Sequence, residues 1–574
     1  MAGDFEVLGS NDAAPFRLKV HRGDGMALLG MDWTDGQPPN DFVGFSIDYL
    51  PPGNTRFLAL GNRLTFDTPP KNVGSNPKSS LYAPIQKFRW VHFPFDPERL
   101  GEYRYRVRPA FLSTTRHIGW GEAQEVGLEL RRETYPDLLN VAFARGFVSS
   151  QAFVDRYQDK GPIATLLPRR ADDGLTFTPT HPKTADALAW MGFEARSAIL
   201  EVLDEAVADP TAEVRVVAYD LNEPGIVRRL EELGPRLRIV IDDSGAHGKV
   251  HSAESQAAAR LRASAGAARV KRHHMNGLQH NKTIVVEGEA VRAVVCGSAN
   301  FTWRGLYVQA NNALVLRGEH AARVFRVAFN AYWRHDAVDG FGPTDSTRWR
   351  ALGLSGLDAR VSFSPHDATR ARLGSVATDI GRARSSVFYS LAFLHQTEGS
   401  VREAIKGVTE NPRIFVYGMA DRRIGGLDVQ LPDGNIAPVR PEALTANVPE
   451  PFKSEPTGLA GGVGTRMHHK FVVVDFDRPT ARVYTGSYNF SAAADRKNGE
   501  NLVRIRDRRV AVSYMVEAVR LFDHYHFRVR QLEVEAGTTP RRLRLQEPPA
   551  NGAEPWWLED YTVPIKIRDR KLFS

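Results

Sequence analysis

One block of sequence occurs twice in this chain, and this duplication constrains the fold more than any other feature. "QHNK" places His280 two residues before Lys282, and "MHHK" places His468 two residues before Lys470. Each pair is followed by an apolar run that ends in an acid. The two histidines are 188 residues apart. An internal repeat of this size predicts two similar structural units in one chain.

A second shared block follows each copy. The sequence Gly-Ser-x-Asn-Phe contains Ser298 and Asn300 in the first copy and Ser487 and Asn489 in the second. In a β-strand, residues i and i+2 point to the same face. The histidine and lysine of one strand therefore share a face, as do the serine and asparagine of the next. Two lobes together predict a site with two copies of each residue type, complete within one chain.

The acids that end the apolar runs are Glu287 in the first copy and Asp475 in the second. Each lies at the far end of its strand from the histidine. We therefore interpret both as structural hydrogen-bonding groups rather than as reactants.

Helices and strands alternate around both blocks. "TADALAWMGFEARSAILEVLDEAV" has helical spacing, and the strand "EVRVVAYD" follows it. The strand "SSVFYSLAFL", the helix "GSVREAIKGV" and the strand "PRIFVYGM" come before the second block. This order predicts two α/β/α lobes related by a pseudo-twofold axis.

The N-terminal part has a different pattern. "FRLKVHR" and "EYRYRVRP" alternate apolar and basic residues, and turn clusters such as "DGQPPND" separate short strands. This pattern predicts a β-sandwich, and the order of its strands resembles fibronectin type III and immunoglobulin-like domains. The predicted division is a sandwich over 1–135, a linker over 136–180, lobe 1 over 181–345, lobe 2 over 346–535 with an insertion over 418–465 above the site, and a tail over 536–574 packed on the body.

The predicted set of side chains suits a phosphodiester. Two lysines can neutralise the non-bridging oxygens, with hydroxyl and amide groups as further donors. One imidazole can attack phosphorus while the other protonates the leaving oxygen. This chemistry requires no metal and no cofactor. The alternative, a structural zinc site that uses His273, His274 and His280, has no cysteine pair or acidic ligand at metal spacing.

The duplicated HxKxxxxD and GSxN motifs resemble those of the phospholipase D superfamily, over about residues 180–535. The resemblance implies a covalent phosphohistidine and metal-independent hydrolysis or transfer. In that family, the residue eleven positions after the GSxN asparagine contacts the histidine of the opposite lobe. By this rule Glu500 pairs with His280, the nucleophile, and Asn311 pairs with His468, the general acid. If each histidine used a partner from its own lobe, the two roles would be exchanged.

The substrate is predicted from a longer stretch. "GSYNFSAAADRKNGENLV" resembles the small bacterial nucleases of the superfamily, and the formal net charge is +8. A basic balance is compatible with phosphate contacts. We therefore expect a nuclease that acts on DNA or RNA. A phospholipid hydrolase or transphosphatidylase is the first alternative, and an inactive scaffold that binds a partner is the second.

The sequence also favours a location inside the cell. Cys296 is the single cysteine, so no disulfide can form within the chain. The start has no basic and apolar leader pattern, and no run approaches the roughly 20 apolar residues of a membrane-spanning helix. We expect a cytoplasmic protein without a transmembrane segment.

Overall fold

The computed structural model of the chain describes residues 4–96, 99–146, 150–394, 399–421, 427–431, 436–439, 467–535, 544–550 and 552–574. By its internal contacts the chain divides into two compact units. The first contains Met1–Arg132 and Val512–Ser574, and the second contains Glu133–Ala511. Both predicted lobes lie largely in the second unit.

The first unit contains two antiparallel sheets. Their strands are β1 Glu6–Leu8, β2 Phe16–Arg22, β3 Ala27–Trp33, β4 Phe42–Leu50, β5 Leu58–Ala59, β6 Arg89–His92, β7 Gly101–Leu112, β8 Ile118–Trp120 and β9 Gln124–Leu130. One sheet has the order β1-β2-β3-β6 and the other has the order β5-β4-β7-β8, with β9 also paired to β7. The N-terminal region is thus strand-rich, as predicted.

Apolar side chains from both sheets form one core. Phe16 and Phe45 pack with ring centroids 5.1 Å apart, and Tyr105 is fully buried beside them. The alternation of apolar and charged residues along β7 places the apolar set in this core. The likeness to fibronectin or immunoglobulin domains stays a prediction.

The tail packs on this sheet pair. Trp557 is buried in the same core, and the indole N–H of Trp556 donates to the carbonyl of Phe42 over 3.0 Å. Residues 536–543 and 551 of the predicted tail lie outside the described residues.

The described residues of the two units also contain α-helices. They are α1 Ser150–Tyr157, α2 Thr184–Ala208, α3 Pro224–Glu232, α4 Ala253–Ala265, α5 Glu319–Arg334, α6 Val338–Phe341, α7 Leu373–Gly381, α8 Ser400–Glu410, α9 Ala492–Arg496, α10 Arg508–Glu535, α11 Glu559–Thr562 and α12 Pro564–Phe573. Within the described residues, none of these helices is long and apolar enough to cross a membrane.

Lobe 1 is built on a seven-stranded sheet. Its strands are β10 Leu139–Phe143, β11 Glu213–Ala218, β12 Leu237–Ile241, β13 Val270–Arg272, β14 Lys282–Glu287, β15 Arg292–Gly297 and β16 Asn312–Arg317, in the order β10-β16-β15-β14-β11-β12-β13. The expectation of a linker over 136–180 is therefore wrong in part. Its buried "LNVAF" forms β10, which pairs along its whole length with β16.

Lobe 2 is built on a nine-stranded sheet. Its strands are β17 Arg350–Ala351, β18 Asp358–Ser364, β19 Ser386–Leu391, β20 Phe415–Asp421, β21 Leu427–Gln430, β22 Ile436–Val439, β23 Lys470–Val474, β24 Arg482–Gly486 and β25 Glu500–Arg506, in the order β17-β18-β25-β24-β23-β19-β20-β21-β22. The start of the predicted insertion forms the hairpin β21–β22 at the sheet edge. Its remaining parts, 422–426, 432–435 and 440–465, lie outside the described residues.

The two sheets repeat one arrangement of six strands. The order β10-β16-β15-β14-β11-β12 in lobe 1 corresponds to β18-β25-β24-β23-β19-β20 in lobe 2. In both, the strand that follows the histidine lies antiparallel between its two neighbours. The fold is therefore α/β with two similar lobes, as the sequence repeat predicts.

Candidate active site

Each histidine–lysine pair lies where its central strand begins. Lys282 is the first residue of β14 and Lys470 is the first residue of β23. The apolar residues that follow each lysine are buried, and they fix the strand in the middle of its sheet. A strand that is buried in the middle of a sheet needs apolar residues, which explains the apolar run after each motif. The histidine and lysine lie at the start of that strand, where the sheet ends.

Two reciprocal backbone contacts join the lobes beside the histidines. Gln279 pairs with Gly499, and Ala310 pairs with Met467, each as an isolated parallel bridge. In both cases, the residue before a histidine meets the residue before Glu500 or Asn311. These bridges bring each histidine to the acidic or amide residue of the opposite lobe.

The imidazole ring of each histidine also lies against a residue of the opposite lobe. Nδ1 of His280 lies 3.2 Å from Oε2 of Glu500. Nδ1 of His468 lies 2.9 Å from Oδ1 of Asn311, and 3.1 Å from the carbonyl of Ser298. The geometry is the cross-lobe pairing that the resemblance implies. Nδ1 of His468 is bonded to Asn311, whereas Nδ1 of His280 faces Glu500 without a hydrogen-bond partner among the described residues. In both rings Nε2 is the nitrogen on the other side of the ring, and we interpret it as the one available for chemistry.

The lysines lie beside their own histidines. Nζ of Lys282 donates to the carbonyl of His280 over 2.6 Å. Nζ of Lys470 donates to the carbonyl of His468 over 2.9 Å and lies 3.1 Å from its Nε2. Nζ of Lys470 therefore lies at the reactive nitrogen of His468, and Lys282 takes the matching position at the backbone of His280.

The motif serines are held by hydrogen bonds within the protein. Both are fully buried, as are Lys282 and Lys470. The hydroxyl of Ser298 donates to Oδ1 of Asn311 over 2.8 Å, and Ser487 accepts the backbone N–H of Asn501 over 3.0 Å. Ser298 thus orients the amide that lies against His468, and phosphate binding by the two serines stays a prediction.

The two motif asparagines differ in their surroundings. The side-chain amide of Asn300 donates to Oδ2 of Asp220, whereas Asn489 is partly exposed. In neither residue does the carbonyl oxygen have a hydrogen-bond partner among the described residues. Both carbonyl oxygens are thus buried, Asn300 is also tied to Asp220 through its amide nitrogen, and phosphate binding by the two asparagines stays a prediction.

The motif acids hold the far ends of the strands. Glu287 lies 2.8 Å from Arg215 and 3.1 Å from Arg326. Asp475 accepts the backbone N–H groups of Arg384 and Ser385 over 2.7 and 2.9 Å. These contacts agree with a structural role at both positions.

Burial dominates the electrostatics of the site. It lowers the pKa of Lys282 to about 7, and it lowers the pKa of His280 well below its ordinary value, with the two lysines adding to the effect. Burial, then the neighbouring lysines, does the same for His468. Burial also raises the pKa of Glu500 to about 7. The free site is therefore poorer in charge than its residue types imply, and an anionic ligand would restore the charge on its lysines.

The sequence prediction missed a polar cluster beside the site. Oδ1 of Asp220 lies 2.8 Å from Nε2 of His247, and Oδ1 of Asp242 lies 2.9 Å from Nδ1 of the same ring. The sequence does contain one signal for this cluster. Asp220 and Asp242 come shortly after β11 and β12, and because these strands are parallel neighbours, their carboxyl ends lie at the same end of the sheet.

The described side chains that converge closely enough to hold a metal ion also belong to this cluster. They are Asp220, His247 and Glu254. The three histidines of the zinc alternative do not form such a group within the described residues. Both ring nitrogens of His247 face carboxylates, so we interpret the cluster as an ion-pair network.

Comparison with known families decides the assignment. A family model described as "Cardiolipin synthase, PLD-like domain" matches residues 201–333 and 440–522, which include both histidine–lysine motifs. These two segments belong to the phospholipase D superfamily. The second unit of the chain is thus a phospholipase D-like pair of lobes.

Curated relatives match over a short stretch. A phospholipase D from Rickettsia felis is 46% identical over 48 residues, which is 8% of this chain and 22% of that protein. A second, from Rickettsia conorii, is 44% identical over 48 residues, with the same shares. The match thus spans about a fifth of the length of these phospholipase D relatives.

Solved structures of the superfamily are similar at low identity. The phosphatidylserine synthase of Haemophilus influenzae is 12% identical with a TM-score of 0.38, over 59% of this chain and 85% of that chain. Nuc from Salmonella typhimurium, a phospholipase D family member, is 24% identical with a TM-score of 0.20, over 24% of this chain and 87% of that chain.

Proposed function

We propose that this chain is a metal-independent phosphodiesterase that works through a covalent phosphohistidine. One observation carries the proposal. Two buried histidines each have a buried lysine two residues away, and Nδ1 of each ring lies within 3.2 Å of a residue from the opposite lobe. A nucleophile and a proton donor that face one phosphate, with fixed cations around it, are what in-line displacement at phosphorus requires.

The first step breaks the ester bond. Nε2 of His280 attacks phosphorus, and the P–O bond to the leaving alcohol breaks. The leaving oxygen takes the proton from Nε2 of His468, which enters the step as an imidazolium because binding of the anionic diester raises the pKa of this ring above its value in the free site. Glu500 holds Nδ1–H of His280 and stabilises the positive charge that develops on its ring. Lys282 and Lys470 neutralise the non-bridging oxygens.

The second step releases the product. His468, now neutral, takes a proton from water, and the resulting hydroxide attacks phosphorus. The P–N bond to His280 breaks and the ring leaves as the neutral base. The products are one alcohol and one phosphomonoester, and both histidines return to their starting states. An alcohol in place of water would give a transfer reaction by the same path.

We propose a nucleic acid as the substrate. Arg304 lies close enough to act on the charges of His468 and Asp220. Arg496, the last residue of α9, and Lys497, which follows it, are exposed. These basic groups support contacts to a polyanionic backbone. The "GSYNFSAAADRKNGENLV" resemblance supports the same choice.

The other candidate is a phospholipid. The curated relatives are named phospholipase D, and the family model is described as cardiolipin synthase. An apolar rim would favour this substrate, and the sequence offers Trp303 and the insertion over 418–465 for it. The structure buries Trp303, whose indole N–H donates to the carbonyl of Gly174 over 3.0 Å. Trp303 therefore supplies no such rim.

One experiment tests both levels of the proposal. The protein is incubated in EDTA with single-stranded DNA, duplex DNA, RNA and phosphatidylcholine vesicles, beside His280→Ala and His468→Ala controls. We expect the wild type to cleave a nucleic acid and neither variant to do so at a comparable rate. Turnover of phosphatidylcholine alone would replace the nuclease assignment by the lipid one. Activity that disappears in EDTA would overturn the metal-independent mechanism.

A further inference from the structure

The two lobes place different residues at one equivalent point beside the site. The backbone N–H of Tyr219 donates to the carbonyl of Asn281 over 3.1 Å, and the N–H of Ala392 donates to the carbonyl of His469 over 3.2 Å. These matching contacts make the residues that follow, Asp220 and Phe393, structural equivalents. One half of the site thus has a carboxylate where the other has an aromatic ring.

Asp220 is held by a chain of hydrogen bonds that leads back to the backbone beside His280. The N–H of Gln279 donates to Oδ2 of Asp242 over 2.7 Å, and Oδ1 of Asp242 faces Nδ1 of His247. Nε2 of His247 faces Asp220, whose other oxygen accepts the amide N–H of Asn300. Burial opposes protonation of His247, but the carboxylates outweigh it and raise the pKa of the ring to about 11. The network fixes an ionised carboxylate in one orientation.

This carboxylate remains accessible. The side chain of Asp220 keeps 23% of its surface exposed, although the protein holds both its oxygens. Beside it, Oδ1 of Asn300 is buried and has no hydrogen-bond partner among the described residues. A carboxylate oxygen can accept more than one hydrogen bond. Together they form a group of acceptors that calls for a donor from a ligand.

The opposite half offers a different surface. Phe393 is partly buried, and its ring centroid lies 6.0 Å from Nζ of Lys470. An aromatic ring accepts an apolar or flat group and offers no strong acceptor to a hydroxyl. One substituent of a bound diester would therefore lie beside the carboxylate of Asp220, and the other would lie beside the ring of Phe393.

The neighbouring charges select among possible donors. Lys282 and Arg304 both act on the charge of Asp220. A cationic ligand group would be repelled by Lys282 and Arg304, and an anionic group would be repelled by the carboxylate of Asp220. A neutral hydroxyl donor is repelled by neither.

We propose that Asp220 is a specificity-determining residue that accepts a hydrogen bond from a hydroxyl on one alcohol of the diester, while Phe393 faces the other substituent. This inference rests on the proposed phosphodiesterase function. It narrows the substrate class to diesters of a hydroxylated alcohol, such as a sugar or a polyol.

Two synthetic esters with one leaving group test the inference. They are p-nitrophenyl 2,3-dihydroxypropyl phosphate and p-nitrophenyl propyl phosphate, and p-nitrophenol release gives kcat/KM for each. We expect the wild type to prefer the dihydroxypropyl ester. Because a hydrogen bond to a charged group contributes about 1.5–3 kcal/mol, Asp220→Leu should lower the ratio of the two kcat/KM values at least about tenfold.

Two matched variants separate recognition from positioning. Asp220→Asn keeps an acceptor and should keep part of the preference, whereas Phe393→Leu changes the other wall and should leave the ratio within about twofold. An Asp220→Leu variant that loses both activities by one factor, with the ratio unchanged, has lost only the positioning of Asn300, and that result overturns the inference. Circular dichroism establishes that each variant is folded.

The outcomes also separate the inference from the proposed function. A wild type that hydrolyses neither ester contradicts the phosphodiesterase assignment, and the inference falls with it. A wild type that hydrolyses both esters equally well leaves the enzyme class standing and overturns the inference alone. A preference that EDTA abolishes, and that added zinc restores, would show that Asp220 and His247 hold a metal ion instead.

Discussion

The two lobes share six strands and one histidine–lysine pair each, yet they hold their histidines by different groups. A carboxylate, Glu500, lies against the ring of His280, whereas an amide, Asn311, lies against the ring of His468. A carboxylate that faces Nδ1 makes Nε2 of the same ring more nucleophilic, and an amide in that position has a weaker effect. The two halves of the site thus have the same strands and motifs, and they differ in the residue that lies against each histidine.

The largest expected effect separates the two histidines. We expect His280→Ala to abolish both turnover and the phosphoenzyme, because Nε2 of His280 is the nucleophile of the proposed first step. His468→Ala should slow turnover by about 10²–10⁴ yet still form the phosphoenzyme with p-nitrophenyl esters, which need little acid assistance. Rapid quenching and mass spectrometry measure the adduct. A covalent adduct that survives in His280→Ala would exchange the two roles.

The partners of the histidines give the next effect. Glu500→Gln makes the two halves alike, and we expect kcat to fall by about a hundredfold since the ring of His280 loses its carboxylate. Asn311→Asp is the matched change in the other half and should slow protonation of the leaving group, most strongly for poor leaving groups. Steady-state kinetics with a series of phenyl esters compares the two. Equal sensitivity to the leaving group in both variants contradicts the assigned asymmetry.

The pH profile is a third test of the comparison. The pKa of Lys282 is lowered to about 7, so its charge is present below that pH and is lost as the pH rises. The pKa of Glu500 is raised to about 7, so its charge is present above that pH and is lost as the pH falls. We expect kcat/KM to be bell-shaped with its maximum near pH 7. Glu500→Gln should remove the acid limb, and an unchanged acid limb would assign that limb to another group.

The smallest effect is expected at the far ends of the strands. Asp475 is buried and accepts two backbone N–H groups, so Asp475→Ala should lower the free energy of unfolding by about 1–3 kcal/mol. Glu287 is about a quarter exposed and pairs with arginines, so Glu287→Ala should lower it by about 1 kcal/mol or less. Denaturant unfolding measures both. A larger loss at Glu287 would show that the acids of the two lobes are not arranged as described.

Residues that act along a single strand could be predicted from the sequence. His280 and Lys282 come together because alternate residues of a strand share a face, and so do His468 and Lys470. The strand β10 was missed because its five residues are short and fully buried, without the alternation that marks an exposed sheet. Its equivalence to β18 becomes visible once both sheets are compared.

Residues that act between strands could not be predicted in this way. Ser298 fits a phosphate ligand by its place in the motif, yet its hydroxyl bonds Asn311 and Asn312, which lie next to it in space. Asp220 and His247 carry no motif, and they meet because the ends of β11 and β12 lie at one edge. Such contacts depend on loop paths, which local propensity does not encode.

The sequence by itself determined the inventory of the site and its twofold character, because the strand period and the repeat length are properties of the chain. The tertiary structure decided which lobe serves which histidine. The backbone bridges at Gln279 and Ala310 cross between the lobes and carry Glu500 and Asn311 to opposite rings. It also decided the charge of the site, since burial sets the pKa of Lys282 and of Glu500, and burial is a property of the folded chain.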